Sequence, residues 1–100
     1  MGVHIAIPYE LIKSFCERWR VREFSLFGSV LREDFTPHSD VDVLLTFADD
    51  AEHDLLDRVE MKDELQGIFG RRVDLAEEKC LANPYRRKNI LAAKEVVYAA

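Results

Sequence analysis

Two aspartates, Asp40 and Asp42, occupy alternate positions of one apolar run, DVDVLLTF. In an extended segment alternate side chains share a face, so the two carboxylates lie roughly 7 Å apart on one surface while Val41 and Val43 pack on the other. Like charges held this close repel unless something positive lies between them, and a bound divalent cation is the usual remedy. Mg²⁺ suits such a pair because it takes oxygen ligands and keeps waters and substrate phosphates in the rest of its shell. A third aspartate, Asp74, lies between Val73 and Leu75 in a later short run. If that run lies beside the first, the cluster is complete, and a two-metal site with ions about 3.5 to 4 Å apart becomes available. Upstream, Gly28 closes the run EFSLFG and Ser29 follows it. A glycine at a strand end lets a ligand approach the backbone, and a helix N-terminus just beyond it offers N–H groups and a positive dipole end to a phosphate. The Ser29 hydroxyl adds a donor. Arg32, one helical turn on, either leans toward the same phosphates or is a solvated helix charge.

Placing these groups requires strands under the aspartates and a helix after Gly28. Leu11, Ile12, Phe15, Cys16 and Trp19 recur at helical spacing over Pro8 to Trp19, with Pro8 suited to the first turn. Glu23 to Gly28 alternates as a strand, Ser29 to Phe35 reads as a short helix, and Thr36 to Ser39 as a turn. Asp40 to Phe47, β-branched and aromatic, reads as the second strand. A polar loop rich in Asp49, Asp50 and Asp54 leads to a helix ending near Phe69, whose apolar stripe shifts angle near Met61. Gly70 is a natural helix stop, and Arg71 to Glu77 reads as a third short strand. Asn83 and Pro84 then open a final helix that carries the chain to its end. The alternation of helices and strands predicts an α/β fold, a small mixed sheet flanked by helices, in a single domain over residues 1–100.

Composition narrows the possible chemistry. The chain carries a net charge of −5, from 19 acidic and 14 basic residues, whereas proteins that grip phosphate backbones present a basic face; direct nucleic-acid binding is disfavoured. No apolar run approaches the roughly 20 residues of a membrane span. Cys16 and Cys80 fit no metal or redox spacing. A soluble protein of a cytoplasm-like compartment is expected.

The stretch GSVLREDFTPHSDVD resembles the G-S-x10-D-x-D pattern of the nucleotidyltransferase superfamily that includes DNA polymerase β, with Gly28, Ser29, Asp40 and Asp42 on the motif positions and Ser39 before the first aspartate. Over essentially its full length the chain is similar to the minimal nucleotidyltransferase branch, in which a G-S-x-x-R opening, an S-D-x-D strand and a GRRVDL-like strand recur in this order. A lone G-S turn is weak evidence and a lone D-x-D occurs on solvated sheet faces; the combination at this spacing is specific. The resemblance implies a polymerase β-like fold in which Asp40, Asp42 and Asp74 hold Mg²⁺, Asp74 being also the base toward the attacking hydroxyl. Gly28, Ser29, Arg32 and Ser39 would bind the nucleotide. It further implies an antitoxin that transfers AMP from ATP to a tyrosine of a helical HEPN-type toxin partner, releasing pyrophosphate. The alternative is a non-catalytic antitoxin that occludes its partner. A chain this short has no second domain to hold a small acceptor, which favours a protein that brings its own surface.

Outside this constellation the ordinary readings are preferred. Asp49, Asp50, Glu52 and Asp54 read as cap and loop acids, His38 as a turn residue, and Leu11, Phe15 and Trp19 as core. His4 and His53 have no partner spacing. Arg86, Arg87 and Lys88 sit where a helix dipole disfavours cations, which leaves open a phosphate or acidic-partner contact and, equally, a solvated face.

Overall fold

The computed structural model describes residues 7–28, 39–77 and 83–100. Its elements run in the order α1 (Tyr9–Trp19), β1 (Val21–Phe27), β2 (Val41–Phe47), α2 (Leu55–Phe69), β3 (Val73–Glu77), α3 (Pro84–Ala93) and β4 (Glu95–Ala99). The four strands form one mixed sheet ordered β3-β2-β1-β4, in which β1 is antiparallel to both β2 and β4 while β2 and β3 are parallel. The helix expected over Ser29 to Phe35, and Thr36 to His38 of the expected turn, lie outside the described residues, as do His4 and Cys80.

Local chemistry explains most boundaries. Pro8 caps α1, and Arg20 ends it in the left-handed region at φ 60°, its backbone N–H donating to the Cys16 carbonyl. α2 opens on a capping box: the Asp57 N–H donates to Asp54 Oδ1 at 2.8 Å, and the Asp54 N–H to Asp57 Oδ2 at 3.1 Å. Gly70 closes it at φ 70°, where a side chain would be strained. Asn83 caps α3 by accepting from the Tyr85 and Arg86 N–H groups at 2.9 and 3.1 Å.

The last helix, expected to reach the chain end, is shorter in the structure. α3 stops at Ala93, Lys94 turns extended at φ −62° and ψ 148°, and the next five residues form β4. Pairing of Phe24 with Tyr98 and of Leu26 with Glu95 supplies the free edge of β1 with hydrogen-bond partners, and this long-range gain overrides the helical pull of the alanines.

The main core lies between the sheet and the α1/α2 layer: Ile12, Phe15 and Cys16 of α1 and Met61 and Leu65 of α2 meet Phe24, Leu26, Val41, Val43, Leu45 and Val73. The Phe15 and Phe24 rings meet edge to face at 6.1 Å. Burial pushes the Cys16 thiol up to about 12, with the Glu17 carboxylate adding to the shift. Trp19 is fastened across the layer, its Nε1 donating to Glu64 Oε1 at 3.1 Å while Arg18 pairs with the same carboxylate. Leu11, expected in the core, is instead 54% exposed: it lies on the outer side of the stripe that Ile12, Phe15 and Cys16 present to the sheet. His53, which showed no partner spacing, hydrogen-bonds the Trp19 carbonyl through Nε2 at 2.8 Å and packs on the Phe47 ring at 4.6 Å. Among the described residues no helix is long and apolar enough to cross a membrane.

Candidate active site

The opposite face of the sheet has a different composition. Phe27, Leu44 and Ile90 form a small apolar cluster there with Ala76 and Leu91, which seats α3 on the sheet. Beside it the side chains are polar. Ser25 is fully buried and its Oγ lies 3.3 Å from Glu23 Oε2, while Lys94, at the end of α3, pairs with the same carboxylate.

Strand alternation puts Asp42, Leu44 and Thr46 on this face and Val41, Val43 and Leu45 in the main core. In β3 the same alternation buries Val73 toward α2 and turns Asp74 to the polar face. The parallel pairing of β2 with β3 sets Val41 against Val73, Asp42 against Asp74 and Val43 against Leu75. Asp42 and Asp74 are therefore neighbours across adjacent strands, spaced by roughly 5 Å of backbone separation. This depends on the connection out of α2: the Val73 N–H donates to Gln66 Oε1 at 3.2 Å and the Val41 N–H to the Arg72 carbonyl at 2.9 Å.

The third partner comes from β1. Phe27 pairs with Asp42, and the chain leaves the strand at Gly28 with φ 76°, a conformation that side chains rarely adopt. A Cβ built on Gly28 would overlap the Asp42 carboxylate, standing 3.1 Å from its Cγ. Glycine here is thus required twice, by its backbone angle and by the carboxylate that occupies the space of its missing side chain.

Asp40 precedes β2, with its carboxylate 3.9 Å from Arg72 Nε. Arg72 was not singled out in the sequence. The available signal was spacing: Arg72 stands two before Asp74, as Asp40 stands two before Asp42, so the parallel register that pairs the aspartates also pairs Asp40 with Arg72. Ser39 is half-buried at the bend before Asp40. Ser29 and Arg32 lie outside the described residues. The structure thus brings together Gly28, Asp42 and Asp74, with Asp40 one pleat away. Among the described residues no three His, Cys, Asp or Glu side chains already converge on a metal position. The donor set is nonetheless all carboxylate oxygen, which matches a hard divalent cation and not a soft one.

Chemically, a face with paired carboxylates can hold a cation-neutralised phosphate. Asp49 and Asp50 stand apart from it, paired with Arg22 at 3.6 Å and Arg20 at 2.6 Å, and Asp54 is spent on its helix cap. Arg86 and Lys88 are exposed on the first turns of α3, and Tyr85 is exposed beside them.

Known proteins are similar to this chain in sequence and fold. The family model for the nucleotidyltransferase domain matches residues 9–97. The protein adenylyltransferase MntA of Thermococcus cleftensis is 37% identical over 86 residues, spanning 86% of this chain and 82% of its own length. Among solved structures, a candidate minimal nucleotidyltransferase is 35% identical and superposes with a TM-score of 0.69 over 87% of this chain and 86% of its own. A chain from the complex of tri-AMPylated Shewanella oneidensis HEPN toxin with MNT antitoxin is 19% identical, with a TM-score of 0.66, covering 92% of this chain and 70% of that one; it shows the same fold.

Proposed function

This chain belongs to the nucleotidyltransferase domain family, a family of enzymes, and on that premise we propose that it is a Mg²⁺-dependent antitoxin that transfers AMP from ATP to a tyrosine hydroxyl of a HEPN-type toxin partner, with release of pyrophosphate. The observation that carries the reading is the in-register pair Asp42 and Asp74 beside Gly28, a glycine whose Cβ position is taken by the Asp42 carboxylate. Protein adenylylation is supported by the 37% identity to the Thermococcus protein adenylyltransferase, and the HEPN-type partner by the complex that contains the shared fold.

Asp40 and Asp42 would hold the cation, with Asp74 as the further ligand. When bound, Mg²⁺ supplies positive charge that neutralises the phosphates and stabilises charge developing at the α-phosphorus. The chain's own residues do the rest. Gly28 lets the triphosphate approach the backbone, and Ser29 with the N–H groups after it seats the phosphates; Arg32 and Ser39 add polar contacts to the nucleotide. Asp74 accepts the proton of the incoming tyrosine hydroxyl, whose oxygen forms the new P–O bond as the bond to pyrophosphate breaks. Positioning and charge compensation account for most of what this transfer needs.

The test is transfer of label from α-labelled ATP to the co-expressed HEPN-type protein. Wild type should add AMP-sized mass to the partner, and Asp42→Asn should slow transfer by about 10²–10³-fold without altering the fold. Undiminished transfer by Asp42→Asn overturns the proposal. Neutralisation of the toxin by an Asp40→Asn, Asp42→Asn double variant, with no mass added by wild type, would identify a purely occluding antitoxin.

A further inference from the structure

The first half of α2 carries an apolar face that the fold leaves open. Leu55, Leu56 and Val59 are 76%, 72% and 51% exposed, and because Leu55 and Leu56 stand four and three residues before Val59 they form one contiguous stripe. The stripe leads into a cleft. Val59 and, one turn on, Lys62 line a cavity of about 250 Å³ whose other wall is β3 from Asp74 to Glu77. Arg58 and Glu77 pair across the floor of this cleft and tie helix to strand. β3 is an edge strand of the sheet, so the cleft runs along the sheet margin and not into its interior.

We propose that this stripe and cleft form the docking surface for the acceptor protein, which covers Leu55, Leu56 and Val59 with apolar side chains. Docking there brings the acceptor hydroxyl round the edge of β3 to Asp74. The inference rests on the proposed transfer reaction and adds to it the route of the acceptor. Two observations select this occupant over a second copy of the chain. First, Asp74 itself lines the cleft, on the edge strand that forms its wall. A protein anchored in the cleft therefore needs only the length of one side chain to reach the reacting groups. Second, the chain has a net charge of −5, and Glu60 and Asp63 are exposed on the same helix, so pairing two copies through α2 would set like charges against each other.

The experiment places a photo-crosslinking p-benzoylphenylalanine at Leu56 or, as control, at the exposed Lys13 of α1, in the full chain co-expressed with the HEPN-type protein. Crosslinking to that protein from position 56 and not from 13 is expected. The Leu56→Glu, Val59→Glu double variant should bind a non-hydrolysable ATP analogue within about twofold of wild type. It should lose about tenfold or more of transfer at low partner concentration, with recovery as the partner is raised, because the loss is one of docking. Both residues are solvent-exposed, so the fold is retained. Crosslinks only to a second copy, or unchanged transfer by the double variant, overturn the docking site. Should wild type transfer no AMP, the transferase reading fails, and the crosslink from position 56 still decides where the partner sits.

Discussion

The two faces of the sheet are built from the same strands and do opposite things. Toward α1 and α2, β2 gives Val41, Val43 and Leu45, all buried among aromatic and aliphatic side chains; toward α3 it gives Asp42, Leu44 and Thr46, and only Leu44 is fully buried. Because side chains alternate, one face can be packed to the density of a crystal while the other keeps carboxylates within reach of solvent and ligand. The dry face fixes the strands, and the strands fix the acids.

Three changes test this contrast. The largest effect is expected from Phe24→Ala, which removes a fully buried ring from the dry face and should cost about 3–5 kcal/mol in urea unfolding, while activity per folded molecule is kept. Gly28→Ala should do the reverse. Strain at φ 76° should cost about 1–2 kcal/mol, but nucleotide binding should fall far more than stability, because the new methyl displaces the Asp42 carboxylate; parallel melting and ATP-analogue titration separate the two losses. The smallest concerns Cys16. Its folded thiol ionises only near 12, against 9.0 for the free group, so the unfolded chain gives up the proton first. Stability from this source is fully present below pH 9, and falls as pH rises from 9 toward 12, by on the order of 1 kcal/mol at pH 9.5. Denaturation midpoints of wild type and Cys16→Ala between pH 8 and 10 should therefore converge.

Much of this contrast was legible before the structure. Alternation in DVDVLLTF assigned Val41 and Val43 to the core and the aspartates to a common face, and Asn83, Pro84 and Gly70 marked helix ends through local capping chemistry that needs no tertiary context. The direction of the strands was not legible, because periodicity is the same for parallel and antiparallel pairing, and without it the meeting of Asp42 with Asp74 was only a condition. β4 was missed for a related reason: the helical preference of the alanine-rich segment before EVVYA is local, whereas its pairing with β1 spans most of the chain. Leu55, Leu56 and Val59 show the converse limit, since an apolar stripe has the same spacing whether it meets a core or a partner.

The short connection from Gly70 to Arg72 has a consequence for how sequences of this kind can vary. Gln66 holds the Val73 N–H from the last turns of α2, so the distance in residues from helix to strand is counted off from a fixed point. One residue added or lost between Gly70 and Val73 would present β3 to β2 with its two sides exchanged, sending Asp74 into the hydrocarbon layer and Val73 out of it. Substitutions along this connection can be absorbed one at a time, but changes of length cannot.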